Sequence, residues 1–326
     1  MNHFKRLVFT IAFVSLSAVA GIVILRRTNL PQQQIPLLEA RRGFKTQLRR
    51  QDVPKEAPEV PPSAVFRLVE YGAATGDLAA YVSPDPKDGE KHPAIVWITG
   101  GDSNTIDDIW TPQPPSNDQS AAQYRRAGIV MMFPSLRGGN RNPGEKESFL
   151  GEVDDALAAA DYLAKLRYVD PKRIYLGGHS TGGTLAMLVA ECSNRFRSVF
   201  AFGPLADVSR YGVESGFLPF DVTNRTEILL RSPGYWLSSV QSPLWVFEGA
   251  KRGNIKDLRQ MRWATSNPLA HFVEINNATH FSTLAPTNSL IANKILADTE
   301  PVCNITFSED EVNRNFNINQ GADSGY

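Results

Sequence analysis

The chain reads as an α/β protein, a mostly parallel, doubly wound sheet with helices on both faces. Short apolar runs alternate with helix-length segments along most of its 326 residues, the rhythm of strand–helix–strand units. One run, Arg173-Ile174-Tyr175-Leu176, leads through Gly177-Gly178-His179-Ser180-Thr181-Gly182-Gly183 into the apolar stretch Thr184 to Ala190: a strand, a glycine-rich turn and a helix in succession. With 42% hydrophobic and 21% charged residues, the composition fits one large globular domain with accessory segments.

Residues 1–27 read as a transmembrane anchor. Leu7 to Leu25 gives nineteen residues without a charge between Lys5-Arg6 and Arg26-Arg27, enough for a helix to cross roughly 28 Å of hydrocarbon. The competing reading is a cleaved signal peptide, since Ala18-Val19-Ala20 has the small-x-small form of a cleavage site. Orientation has two readings as well. Seven Lys/Arg between Arg26 and Arg50, against two before the span, favour a cytoplasmic body, whereas a signal anchor or signal peptide places the body outside. Residues 28–62, basic and rich in Pro and Gln, read as a solvated tether that could rest on anionic headgroups.

The folded body is assigned to residues 63–300. Val65 to Val69 and Leu78 to Val82 read as a hairpin around Gly72 to Gly76. Strands follow at Ala94–Ile98, Ile129–Phe133, Ile174–Leu176, Val199–Phe202, Leu244–Phe247 and Phe272–Ile275, with helices at Phe149–Leu166, Thr181–Cys192, Ile255–Ser266 and Thr287–Ala297. Residues 301–326, rich in Asn, Asp, Glu and Gly, read as a frayed polar tail.

Residues 1–62 carry ten Lys/Arg against four Asp/Glu, so the body is acidic although the net charge is zero. Its cations are neither clustered nor interleaved with aromatics, and nucleic acid is excluded as a partner. The two cysteines, Cys192 and Cys303, build neither a disulfide framework nor a metal-ligand spacing, and the chemistry below calls for no metal or organic cofactor.

The Gly178-His179-Ser180-Thr181-Gly182 turn is the arrangement that nucleophilic catalysis by serine requires. Between strand and helix the chain must turn so sharply that a Cβ at Gly178 or Gly182 would collide, and the Ser180 hydroxyl then projects from the sheet edge. This turn, Phe133 to Gly139, Glu152-Val153-Asp154-Asp155 and Tyr168 to Ile174 together resemble the catalytic domain of the prolyl oligopeptidase family, from about Ala64 to Ala297. The resemblance implies an α/β-hydrolase fold and a Ser-His-acid triad. The family's propeller domain has no room in the 62 residues before the body, so a more open site is expected.

Triad order in such a fold puts the base on a loop after the last strand, where His280 stands, followed by Phe281-Ser282 as in the family. His3, His92, His179 and His271 read as leader, packing or surface residues. The acid departs from the family: where aspartate is usual after the Leu244–Phe247 strand, the chain has Glu248-Gly249-Ala250-Lys251-Arg252. Glu248 ranks first, ahead of Asp257, which could equally belong to a helix start capped by Asn254, and Asp207, which could equally be a turn carboxylate. The N–H groups of Thr181 and Gly101 are the candidate oxyanion donors, with Thr99 where the family's His-Gly-Gly has histidine. Ser103–Gln119, with Trp110, and Tyr211–Trp236, with Phe217, Leu218 and Phe220, are candidate pocket walls, though either could instead pack beneath a lid.

These features point to a membrane-anchored serine hydrolase, a serine-type peptidase or carboxylesterase, acting on a small ester, amide or short peptide. A catalytically silent α/β-hydrolase body used as a tethered binding module is the alternative, kept open by the missing aspartate.

Overall fold

The computed structural model describes residues 30–51, 56–211 and 217–323. The anchor and cleavage-site assignments at residues 1–27 lie outside these, and among the described residues no helix is long and apolar enough to cross a membrane.

The elements, in chain order, are α1 (Leu37–Ala40), β1 (Arg67–Ala73), β2 (Gly76–Val82), β3 (His92–Ile98), α2 (Ala122–Arg126), β4 (Val130–Pro134), α3 (Glu152–Ala164), β5 (Val169–His179), α4 (Thr181–Cys192), β6 (Val199–Phe202), α5 (Arg225–Leu229), β7 (Leu244–Gly249), α6 (Ile255–Ala264), β8 (Ala270–Ile275), α7 (Leu284–Ala297) and α8 (Glu309–Asp323). One eight-stranded sheet runs in the order β1-β2-β4-β3-β5-β6-β7-β8. β2 pairs antiparallel with β1 and β4, and every pair from β4 to β8 is parallel. The hairpin turn is tighter than the glycines suggested. Ala73 pairs with Gly76, leaving two residues to reverse the chain, and Gly76 takes φ +122°.

Strand periodicity sorts side chains onto the two faces. Along β3, Val96 and Ile98 join α3, α4 and α6 in one core, while Ile95 and Trp97 join Tyr124, Ile291 and Phe316 from α2, α7 and α8 in the other. Because both faces are covered, the central strands are apolar throughout rather than alternating, and β4, β6 and β7 are buried at every position.

Two expectations are corrected. Residues 30–51 are a docked strap rather than a solvated tether. Leu30 and Leu37 are buried in the α4-side core, Arg41 donates to the Leu150 carbonyl at 2.7 Å, and Leu48 pairs with Phe220 in an isolated β-bridge. Polar atoms also hold the strap: Thr46 and the Gln47 N–H donate to Glu227, whose carboxylate pairs with the fully buried Arg231. A buried ion pair needs its remaining lone pairs filled, and the strap fills them.

The C-terminal segment is likewise ordered. Val312 and Phe316, four residues apart on α8, are buried against the sheet, and the Ser308 hydroxyl accepts the Glu311 N–H at 3.1 Å. Ser308-x-x-Glu311 is a capping-box spacing, and acidic residues suit the positive end of a helix.

Candidate active site

The turn from β5 into α4 sets the geometry. Ser180 has φ +54° and ψ −111°, a strained conformation for a residue with a side chain, and its N–H donates to the Phe202 carbonyl at 2.7 Å. A Cβ on Gly178 would strike the Gly182 carbonyl, and one on Gly182 would strike the Ile98 carbonyl, so both glycines are steric requirements. Ser180 is partly exposed and lines a cavity of about 550 Å³.

His280 stands on the loop after β8. Its Nδ1 lies 2.9 Å from Glu248 Oε2 at the end of β7. Glu248 is 1% exposed, and its carboxylate also accepts the Gly249 N–H at 2.8 Å and the Asn254 N–H at 3.3 Å. Three donors around a buried carboxylate hold it in place and compensate its lost hydration. Gly203 and Gly253 clear the space: a Cβ on Gly203 would meet both the His280 ring and Glu248, and one on Gly253 would lie 2.8 Å from His280 Cβ.

The other two carboxylates are committed elsewhere. Asp257 accepts the Ala206 N–H at 3.1 Å and pairs with Arg210, and Asp207 accepts the Ser209 N–H at 2.9 Å and the Tyr235 hydroxyl at 2.8 Å. The Asn254 side chain donates to the Gly203 carbonyl and does not cap α6. Glu248 is therefore the one of the three that is hydrogen-bonded to His280.

Ser180 and His280 approach through their neighbours. The Phe202 carbonyl holds Ser180 N, the next residue, Gly203, abuts the His280 ring, and His179 packs on His280 with ring centroids 4.5 Å apart. The Ser180 hydroxyl has no hydrogen-bond partner among the described residues.

At the helix start, the Thr181 hydroxyl donates to the Gly101 carbonyl at 2.9 Å, tying the loop after β3 to the turn. Gly101 takes φ +78° and lines the same cavity as Ser180 and Thr181. The Thr181 and Gly101 N–H groups have no acceptor among the described residues, which leaves both for a ligand oxygen.

The cavity wall is aromatic on one side. Phe149, Tyr211 and Phe217 pack on one another with centroids 5.0 to 6.0 Å apart, next to Pro219. Arg50 from the strap, whose N–H donates to the Pro219 carbonyl at 3.2 Å, and the Lys146–Asp102 pair at 2.6 Å also line it. Trp110, Leu218 and Phe220 do not line the cavity. Trp110 packs edge-on against Tyr81, Leu218 is buried in the core, and Phe220 lies under the Arg231 guanidinium. The sequence reading also missed Arg50, for which only the basic run of the strap was a signal, and Lys146.

His92 pairs with Asp88, and His271 stacks on Trp245. His179 is more than a packing residue. It is fully buried, burial lowers its pKa to about 3, and both ring nitrogens are bonded, Nε2 to the His280 carbonyl at 3.1 Å and Nδ1 to the Gln119 amide. Of the remaining motifs, Arg137 forms a two-pronged ion pair with buried Asp155, and Glu152 accepts from Asn104, which lines the cavity.

Residues 115–241 match the family model described as the prolyl oligopeptidase family. Among curated proteins, a dual function macrocyclase-peptidase of Galerina marginata is 30% identical over 92 residues, 26% of this chain and 13% of the relative. Prolyl oligopeptidase A of Amanita bisporigera is 28% identical over 122 residues, 36% and 15% respectively. The matches thus span about a seventh of those relatives. Among solved structures, Porphyromonas gingivalis dipeptidyl peptidase 4 aligns with TM-score 0.53 at 19% identity, covering 66% of this chain and 32% of that one. An esterase from Pyrobaculum calidifontis aligns with TM-score 0.52 at 19% identity, covering 80% and 88%. With the sheet order and the serine turn, these matches give the chain an α/β-hydrolase fold whose residues 115–241 are similar to the prolyl oligopeptidase family.

Proposed function

We propose that this chain is a serine hydrolase that cleaves an ester or amide through an acyl-enzyme. Ser180 Oγ attacks the carbonyl carbon while His280 takes its proton, and the negative charge on the carbonyl oxygen is received by the N–H groups of Thr181 and Gly101. His280 then gives the proton to the departing alkoxide or amine. Water, deprotonated by the same imidazole, releases the acid and restores Ser180. Glu248 accepts from His280 Nδ1, fixing the tautomer that leaves Nε2 to act as base and stabilising the imidazolium as it forms. The single observation that carries this reading is the 2.9 Å contact between His280 Nδ1 and Glu248, a buried carboxylate with no Lys or Arg ion pair among the described residues. Such a contact disfavours the catalytically silent alternative, because it fills the place of the missing aspartate. Among the described residues the Ser180 hydroxyl has no hydrogen-bond partner, and in this reading the contact with His280 tightens when substrate fills the cavity.

The aromatic wall of Phe149, Tyr211 and Phe217 suits an uncharged, flat or branched apolar group next to the scissile bond, as in a hydrophobic ester or a short peptide. Leu7–Leu25 would hold the body at a membrane surface, a reading that rests on the sequence. A fluorophosphonate probe is expected to label the full chain and to fail on Ser180→Ala. Glu248→Gln is expected to lower turnover by about three to four orders of magnitude, as a wrong imidazole tautomer does in a Ser-His-Asp enzyme. Unchanged turnover in that variant would remove Glu248 from the mechanism. Rates on p-nitrophenyl esters against aminoacyl amides divide esterase from peptidase, and membrane retention of the intact chain after alkaline extraction tests the anchor.

A further inference from the structure

His179 lies inside the serine turn, yet the mechanism gives it no role. Its ring is fully buried, and its two nitrogens face two other parts of the site. Nε2 is 3.1 Å from the His280 carbonyl oxygen, and since a carbonyl only accepts, Nε2 carries the hydrogen. Nδ1 is then the acceptor of the neutral ring, and the Gln119 Nε2 amide, 2.9 Å away, donates to it.

That choice fixes the whole chain of bonds. Gln119 Nε2 also donates to Asn117 Oδ1 at 2.8 Å, and Gln119 Oε1 accepts the Gly100 N–H at 3.2 Å. Every donor meets an acceptor in only one orientation of the amide. The chain runs from Gly100, the neighbour of the candidate oxyanion donor Gly101, through Gln119 and His179, to the backbone of His280. The fit is close on the Gly100 side too, where a Cβ would fall 2.8 Å from His179 Nδ1.

We propose that His179 is a positioning residue that clamps the backbone of the base, His280, and holds it in register with the oxyanion loop through Gln119. Its ring also packs on the His280 ring, with centroids 4.5 Å apart, but its hydrogen bond goes to the His280 backbone and not to the imidazole. His280 sits on a loop, its ring is aimed by Glu248 at one end only, and the Thr283 hydroxyl that also donates to its carbonyl at 3.2 Å belongs to the same loop, so His179 is the donor that ties this peptide to the serine turn. A packing role alone would require neither the carbonyl acceptor nor the matched amide. The proposal rests on the reading of His280 as base.

The test is the labelling of Ser180 in the full chain by a fluorophosphonate, measured as a limiting rate at saturation and a half-saturating concentration. His179→Leu fills much of the space without a donor, whereas His179→Gln restores an N–H near the position of Nε2. His179→Leu is expected to lower the limiting rate about tenfold to a hundredfold with the half-saturating concentration changed less than about twofold, the pattern of a lost transition-state geometry. His179→Gln is expected to recover most of that loss. In a His280→Ala background, which is itself slowed, His179→Leu should cost nothing further, because groups acting as one unit are not additive. A limiting rate within twofold of wild type in His179→Leu would overturn the proposal, as would an equal loss with and without His280. If His280→Ala labels at the wild-type rate, the base assignment fails, and the clamp with it. Should His179→Leu lack a cooperative melting transition, Gln119→Leu takes its place with the same expectation, and an unaltered rate there overturns the clamp.

Discussion

Glu248 is where residue chemistry departs from what the family pattern led one to look for. A glutamate at the last position but one of a strand has a longer side chain than an aspartate on the following loop, and from there it reaches His280 Nδ1 at 2.9 Å. In the proposed mechanism the chain thus dispenses with an acid in the Lys251-Arg252 stretch, and Glu248 was legible as a candidate because the strand before it was apolar and unambiguous. His179 was not legible. Lone histidines usually pack or face solvent, and only folding brings Gln119 and the His280 carbonyl, respectively 60 and 101 residues away, to its two nitrogens. Its burial has a measurable consequence. With a folded pKa of about 3, depressed by desolvation and then by the charge of His280, the ring stays neutral at pH values where the unfolded chain takes up a proton. The unfolded state therefore binds more protons between about 6.5 and 3, and stability falls as pH drops through that window by on the order of 1.4 kcal/mol per unit. The stability of wild type relative to His179→Gln, measured by urea unfolding, is expected to fall by about 2 kcal/mol between pH 7 and pH 5. A gap that stays constant across these two conditions would mean that His179 is solvated.

At the scale of elements, the central strands and helices were readable because each contains enough apolar residues at one period to exclude the others. α4 matched the sequence reading at both ends, Thr181 and Cys192, since the serine turn fixes its start and Ser193, an extended residue, ends it. α8 escaped notice for the opposite reason. Its mean composition is polar, and among its described side chains only Val312 and Phe316 are buried, so composition suggested a tail while the capping-box spacing at Ser308-x-x-Glu311 went unread. Polar side chains add to the docking: Lys294 pairs with Glu311 at 2.8 Å, and the Asn313 side chain donates to the Glu274 carbonyl at 3.1 Å. Because Phe316 is 2% exposed in the core that covers β6 to β8, Phe316→Ala is expected to cost about 3 to 4 kcal/mol in denaturant unfolding. A cost below about 1 kcal/mol would return α8 to the status of a surface appendage.

Across the whole molecule, the strap changes how the site relates to the rest of the chain. Residues 30–51 start in the α4-side core at Leu30 and Leu37, cross Leu150 and Asp154 through Arg41, and pair with Pro219 and Phe220 before Arg50 arrives at the cavity rim. The sheet order is encoded by dense apolar runs, but the strap is encoded by a few anchors spread among polar residues, which is why it resembled a linker. Ser180, His280, Glu248, Thr181 and Gly101, the groups of the proposed mechanism, all belong to the body, so a loosened strap should leave them intact and alter the wall of the cavity. Leu37→Asp would place a charge in a fully buried position, and the adjacent end of the strap should lift rather than bury that charge unpaired. The expected outcome is an increase in KM for a p-nitrophenyl ester of about fivefold or more, with kcat within about threefold of wild type and faster proteolysis within residues 38–51. Loss of kcat at unchanged KM would instead mean that the strap sets the geometry of the proposed triad, through the α4 core on which Leu37 rests.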